Sequence, residues 1–379
     1  MFTHRPTFAH IDLDALVHNF NVISDRLGDG LSIMAVVKAD AYGHGGAPIA
    51  AVLERIGAAT FGVAFCEEGV RLREGGVTKP ILVLGGIYFG EAKKAAYYNL
   101  TPVIISRQNA LDTIQQFKDV GLKTKVHIKI DSGMNRIGLH PDEVDEVVDI
   151  ILDSKVLEIN GLMSHLATVT PDLGEYYWKQ VTVFRDIVDR LEKRGVRPPW
   201  VHIANSSAVI AAPRPPFNLV RVGVSMFGAS PGPSFSKMLK VKPVLELITE
   251  IIHVKSVGPG SPISYEGTFV TKADTVVATI PMGYADGLNR KLSNRGEALV
   301  RGRRVPIIGN VCMDMSMLDV TAVPGAAPGD KVTLIGTQGD EIITADEVAR
   351  HCGTIPYEIL TNINHRVARI YRKGDSNAS

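Results

Sequence analysis

The sequence predicts an α/β protein: a (β/α)8 TIM-type barrel followed by a mostly-β C-terminal domain. Three observations predict it. Eight β-branched apolar runs alternate with amphipathic stripes over about 240 residues, the number and length that a closed (β/α)8 barrel needs. From Leu245 onward strand-like runs follow one another, as in a separate β domain. No G-x-G-x-x-G follows the first run, so a doubly wound open sheet, the architectural alternative, lacks its dinucleotide-binding turn.

In chain order, the first helix begins at Asp12, an acceptable cap, with Leu16, Phe20, Ile23 and Leu27 at 4–3–4 spacing. The eight runs are Ser32–Val37, Thr60–Phe65, Ile81–Leu84, Pro102–Ile105, Lys125–Ile130, Glu158–Met163, Trp200–Ala204 and Leu219–Val222. Leu111, Ile114 and Phe117 mark one intervening helix, and Tyr177, Val181, Phe184, Val188 and Leu191 mark another. The alternation breaks near Met238–Pro243, which divides the chain into a barrel domain, 1–240, and a β-rich domain, 241–379. An extreme N-terminal strand packing with the β domain is left open. The later strand runs are Ile248–Val257, Thr275–Ile280, Glu297–Val300, Val305–Ile308 and Lys331–Ile335. A late helix opens at the capping-box pattern Thr344-x-x-Glu347, and the polar tail Gly374–Ser379 closes the chain.

Composition sets bounds. The 379 residues are 45% hydrophobic and 21% charged, an ordinary globular balance that excludes global disorder. Forty-one basic against 40 acidic side chains leave +1, which argues against a basic nucleic-acid surface. No apolar run approaches a membrane span, Met1–Asn19 has no apolar signal core, and Cys66, Cys312 and Cys352 are scattered. A cytoplasmic chain with free thiols is the expectation. Gly, at 36, exceeds the about 27 that average usage gives, hinting at tight turns or anion-cradling loops.

Catalytic groups of a barrel sit at the C-terminal ends of its strands. The first strand runs through Ile33–Val37 into Lys38, then Ala39-Asp40-Ala41-Tyr42-Gly43-His44-Gly45-Gly46. An ammonium there is costly unless it is paired, deprotonated or covalently used; a lysine snorkelling to the rim is the plain alternative. On the fifth strand His127, Lys129 and Asp131 share one parity, so all three are expected in the lumen, ahead of a rim loop ending at Arg136. The sixth strand leads into Ser164-His165. The seventh sets His202 and Ala204 inward before Asn205-Ser206-Ser207, and the eighth sets Arg221 and Gly223 inward. Any one of these histidines reads as a satisfied core residue; polar groups on five strand ends read together as an active site. Ser206 and the backbone at Gly223-Val224 follow strands seven and eight, where barrels build phosphate sites from loop amides. A phosphate there and a single strand-end lysine suggest pyridoxal phosphate held as a Schiff base, with Arg221 facing its ring.

The string Val36-Val37-Lys38-Ala39-Asp40-Ala41-Tyr42-Gly43-His44-Gly45 resembles the cofactor-attachment motif of alanine racemases. Lys129-x-Asp131-x-Gly133-Met134-x-Arg136-x-Gly138, Ser164-His165, His202-x-Ala204-Asn205-Ser206 and Arg221-x-Gly223 are similar to that family in the same order. So are Ser264-Tyr265-Glu266, Gly283-Tyr284-Ala285-Asp286-Gly287, Cys312-Met313-Asp314 and Pro356-Tyr357-Glu358, so the resemblance spans both domains. It implies an isomerase interconverting L- and D-alanine, serving peptidoglycan synthesis or catabolism. Lys38 would carry pyridoxal 5'-phosphate and act as one base. Tyr265, from the partner in a homodimer, would be the other, tuned through His165 and Arg221. Racemisation removes a proton from one face of Cα and returns one to the other. Free lysine and tyrosine titrate near ~10.4 and ~10, so both bases need tuning.

The resemblance also implies phosphate contacts from Tyr42, Ser206, Gly223, Val224 and Tyr357. Arg136 and the Met313 amide would hold the substrate carboxylate, with Cys312 beside it and Tyr284 at the entrance, the β-rich domain bringing Tyr265 and the Cys312–Asp314 loop to the partner's site. Lys129 resembles a position that carries a carbamate in many members, an anion that would orient Arg136. Arg221 will not give a proton to the pyridine nitrogen, which weakens the electron sink and suits quick proton exchange. No metal, nucleic acid or membrane partner is implied. Two other enzymes stay open from the residues alone. One is a pyridoxal-phosphate decarboxylase of the same architecture. The other is a metal-dependent hydrolase barrel built on Lys129, His127, Asp131, His165 and His202.

Overall fold

The computed structural model describes residues 5–236 and 238–372; the Gly374–Ser379 tail lies outside the described residues. The chain forms two compact units. One comprises Asn19–Met226 and Pro231–Lys240; the other gathers the N-terminal residues through His18, Phe227–Ser230 and the chain from Val241. The division therefore differs from a single cut at 240.

Strand β1 (Phe8–Asp12) precedes the eight strands of the first unit. These are β2 (Ser32–Val36), β3 (Thr60–Val63), β4 (Ile81–Val83), β5 (Leu100–Ile104), β6 (Thr124–Lys129), β7 (Leu157–Met163), β8 (Trp200–His202) and β9 (Leu219–Val222). They pair in the parallel order β8-β7-β6-β5-β4-β3-β2-β9. Asn218 N donates to Val201 O at 3.3 Å and Arg221 N to Ala204 O at 3.0 Å, which joins β9 back to β8 and closes the barrel. Met34, Leu82, Val103, Met163 and Leu219 come from five different strands and form one buried cluster, the apolar filling of the barrel interior. Met34 and Val36 share a parity on β2, and Lys38 follows its C-terminal end by two residues.

Amphipathic helices cover the strands. Arg107–Asp119 buries Ala110, Thr113, Ile114 and Phe117, and Glu175–Lys193 buries Tyr177, Val181, Phe184, Val188 and Leu191. Helix α1 (Leu13–Leu27) is capped by Asp12, whose Oδ1 accepts from the amides of Asp14 and Ala15 at 2.9 and 2.8 Å. Among the described residues no helix is long and apolar enough to cross a membrane.

The second unit is built on a ten-stranded sheet. In it β1 lies between β10 (Leu245–Glu250), antiparallel, and Ala368–Arg372, parallel. The run read as Ile248–Val257 is two strands, Leu245–Glu250 and His253–Val257. Between them Ile251 N donates to Asp330 O and Ile252 N to Thr279 O, so the chain changes partners at that point. Strands Ser316–Asp319 and Ala368–Arg372 and the helix Pro356–Thr361 had no expectation attached. Thr344 caps the helix Ala345–Cys352, accepting from Glu347 N at 3.1 Å, but the Glu347 carboxylate pairs with Arg304 instead of closing the capping box.

Candidate active site

After β2 the chain makes a left-handed turn. Ala39, Asp40, Ala41 and Tyr42 all have φ of 51–54°, a region that costs a non-glycine residue about 1–2 kcal/mol. The turn is held from several sides. Ala41 N donates to Val37 O and Gly43 N to Ala39 O, both at 2.9 Å, while Asp40 Oδ1 accepts from Gly46 N at 2.6 Å. Glu68 accepts from Ala39 N at 2.7 Å and from Ala64 N at 2.6 Å, so it fixes the backbone directly after Lys38. Strain concentrated here is what a positioned functional segment shows. Burial depresses the Lys38 ammonium below its ordinary pKa, and Arg136 and Arg221 add to this against the opposing charge of Glu68.

Arg221 is the hub of the lumen. It is buried, and its partners are Ser164 O at 2.7 Å, Ile203 O at 3.0 Å, His165 Nδ1 at 2.9 Å and His202 Nδ1 at 2.9 Å. A guanidinium only donates, so both Nδ1 atoms accept and both rings carry their proton on Nε2. His202 Nε2 then donates to His127 Nδ1 at 2.9 Å. Burial holds all three imidazoles neutral, with Arg221 adding to it, and His127 is pulled to about 3. Burial also pulls Arg221 to about 9, still protonated at neutral pH. Its Nε–H bonds to no acceptor among the described residues.

Lys129 is buried beside Arg136 and Arg221, and burial followed by these charges lowers its pKa to about 8. Asp131 departs from the lumen expectation. The strand ends at Lys129, and Asp131 Oδ1 turns to the amides of Gly133 and Met134 at 2.9 and 2.8 Å, bracing the loop that carries Arg136. His127, Asp131, His165 and His202, four of the five side chains of the metal reading, thus have other partners. Among the described residues, no group of three or more His, Cys, Asp and Glu side chains is arranged for a metal ion. Ser206 opens the short helix Ser206–Ala211, and its Oγ accepts from Gly223 N at 3.0 Å. A side chain at Gly223 would collide with Tyr42 Oη, so Tyr42, Ser206 and the Gly223-Val224 backbone line one cradle.

The other proposed residues cluster in the β unit. Ser264, at φ 66°, donates from Oγ to Asn310 O at 2.7 Å and lies 3.3 Å from Cys312 Sγ, while Asn310 Nδ2 donates to Tyr265 O at 2.9 Å. Tyr284 N donates to Cys312 O at 2.9 Å and Ala285 N to Met313 O at 3.0 Å; Gly283 has no room for a side chain against this pair. Tyr265, Met313 and Tyr284 are thereby gathered on one ledge with 69%, 53% and 43% of their surfaces exposed. Tyr357 lies on Pro356–Thr361, and burial pushes its phenol up to about 12, leaving it a donor at neutral pH.

Comparison with known proteins decides between the enzymes. Residues 11–231 match the family described as alanine racemase, N-terminal domain, and residues 244–371 match its C-terminal domain. An alanine racemase of Geobacter sulfurreducens is 42% identical over 371 residues, covering 97% of each chain. The chain belongs to the alanine racemase family. Among solved structures, an alanine racemase of Clostridium difficile 630 superposes with a TM-score of 0.92 at 34% identity, over 98% of this chain and 97% of that one. The alanine racemase of Bacillus anthracis with bound L-Ala-P gives 0.92 at 38% identity, over 99% and 97%. An alanine racemase is an isomerase, and the family depends on pyridoxal phosphate.

The barrel residues fit that cofactor. Lys38, Lys129, Arg136 and Arg221 concentrate positive charge, while Glu68 and Asp131 are occupied by backbone amides. Such a lumen suits a phosphate dianion and a carboxylate. The Gly223 cradle and the uncommitted Arg221 Nε–H supply matching donors. Sequence reasoning missed Glu68 and a support under the ledge. Buried Asp286 accepts from Gly283 N at 3.1 Å and pairs with Arg5 at 2.7 Å and Arg366 at 3.4 Å, and Arg366 also holds Asp314 at 2.8 Å. Only the Asp at position four of Gly-Tyr-Ala-Asp-Gly signalled it.

Proposed function

We propose that the protein is a cytoplasmic, homodimeric, pyridoxal-phosphate-dependent alanine racemase interconverting L- and D-alanine. Its two bases stand on opposite faces of Cα, Lys38 on one and Tyr265 of the partner subunit on the other. When bound, pyridoxal phosphate supplies an electron sink for the pair left on Cα as its proton departs. Lys38 would hold its aldehyde carbon, and Tyr42, Ser206, Gly223, Val224 and Tyr357 its phosphate. Arg136 and the amide of Met313 of the partner subunit take the alanine carboxylate, a charge-assisted pairing that fixes which face of Cα meets which base. Cys312 of the partner subunit and Tyr284 of the partner subunit flank that position.

Lys38 has a depressed pKa, so more of its amine is free to accept a proton near neutral pH. Tyr265 serves the other face, and its exposure supports use by a second copy. His165, accepting from Arg221 at Nδ1, offers its Nε2–H to the tyrosine oxygen. The Arg221 hub carries the reading. A charged guanidinium with two neutral imidazoles orients the second base and withholds a proton from the ring nitrogen, favouring proton return over decarboxylation or transamination. A carbamate on Lys129 would orient Arg136 in turn.

Incubating the holoprotein with L-alanine in D2O tests this. Loss of optical rotation with deuterium at Cα is expected; retained rotation, or release of CO2, would contradict it.

A further inference from the structure

The helix Glu175–Lys193 carries none of the site motifs, yet two of its side chains one turn apart end on the backbone of the site. Tyr176 Oη donates to the Gly133 carbonyl at 2.6 Å. Gln180, fully buried, accepts from Ala167 N at 3.1 Å and donates from Nε2 to the His165 carbonyl at 3.4 Å. Gln180 therefore locks the helix to the segment bearing His165, which fixes the reach of Tyr176.

Tyr176 meets the loop where it is most constrained. Gly133 has φ 134°, and a Cβ there would lie 3.0 Å from Tyr176 Oη and 3.4 Å from Gln180 Cγ. The ends of the loop are closed by Asp131 N to Leu139 O at 2.9 Å and Leu139 N to Lys129 O at 2.8 Å. Inside, Asp131 Oδ1 holds the amides of Gly133 and Met134, and Ser132 Oγ meets Ser164 Oγ at 2.7 Å. Tyr176 is the nearer donor to the Gly133 carbonyl, three residues before Arg136; that carbonyl also accepts from Asn135 Nδ2 at 3.5 Å. Arg136 itself is exposed and makes no hydrogen bond or ion pair with another described residue, so its direction depends on how the loop is held.

We propose that Tyr176 is a positioning residue for racemisation: its hydrogen bond to the Gly133 carbonyl holds the loop so that Arg136 is presented to the substrate carboxylate. This rests on the reading of Arg136 given above.

The test is Tyr176→Phe in the holoenzyme, which keeps the ring and removes the donor. It is read by kcat and KM for alanine and by calorimetric binding of propionate, which has the carboxylate without the amine. KM and the propionate Kd should rise about three- to tenfold, with kcat within about twofold. Arg136→Lys is the reference. In that background Tyr176→Phe should add less than about twofold, because the tyrosine acts through the arginine. If Arg136→Lys leaves KM and propionate binding unchanged, the carboxylate role of Arg136 fails. If Arg136→Lys raises both while Tyr176→Phe raises neither, or if the two effects multiply in full, the positioning role of Tyr176 is overturned.

Discussion

At Lys129, burial and two neighbouring guanidinium groups act on one amine and bring it to about 8. A neutral amine is the form that adds CO2, and its fraction rises from about a tenth at pH 7 to about nine tenths at pH 9. At constant dissolved CO2, carbamylation should therefore increase over that interval, seen as a carbamate resonance with 13C-labelled bicarbonate. A signal absent at pH 9, or one that falls with rising pH, would count against a carbamate at this lysine. The histidines make a second prediction. His127 is held near 3 in the folded chain, whereas in the unfolded chain it binds a proton near ~6.5. Below pH 6.5 the unfolded state takes up protons that the folded state refuses, so stability is full above that pH and is lost as pH falls toward 3. Between pH 6.5 and 5 His127 alone should cost roughly 2 kcal/mol. Denaturant unfolding at pH 7 and pH 5 measures it; a His127→Gln chain should lose less between the two than the native chain, and equal losses would refute the assignment.

Among the elements, legibility followed periodicity. Buried parallel strands read as near-continuous apolar runs, so all eight barrel strands were visible, with no boundary shifted by more than two residues. Parity along β6 carried the reading of His127 and Lys129 but failed at Asp131, because the ladder stops at Lys129 and the chain turns. The left-handed turn after Lys38 left no local trace: four non-glycine residues adopt it because Glu68, Asp40 and the strand end hold them there. Ala368–Arg372 alternates exposed and half-buried residues at the sheet edge, and Ser316–Asp319 has only Met317 and Leu318 between polar ends, so neither gave an apolar run. One glycine in a strand has a specific reason. The β6–β7 register shifts between Val126 and His127, and a side chain at Gly161 would run into the His127 ring. Gly161→Ala should therefore displace His127 from His202 and cost about 1–3 kcal/mol in thermal or denaturant unfolding. A native-like midpoint would show that the ring has room to move.

For the whole molecule, most of the candidate site was legible, since Lys38, Lys129, His165, Ser206 and Arg221 stand at strand ends of a recognisable barrel. Tyr265, Tyr284, Cys312, Met313 and Tyr357 were not legible from pattern. In a β domain they are ordinary side chains, and their assignment came from resemblance. The Asp286 support under their ledge depends on Arg5 and Arg366, far apart in sequence, which no local pattern could pair. The reading divides one active site between two copies of the chain, with Lys38 from one and Tyr265 from the other. Mixing inactive Lys38→Ala and Tyr265→Ala chains tests that division most directly. In each mixed dimer one site would carry both defects and the other none, so random exchange should restore about a quarter of native racemase activity. Mixed dimers verified by mass that remain inactive would contradict two bases on two chains.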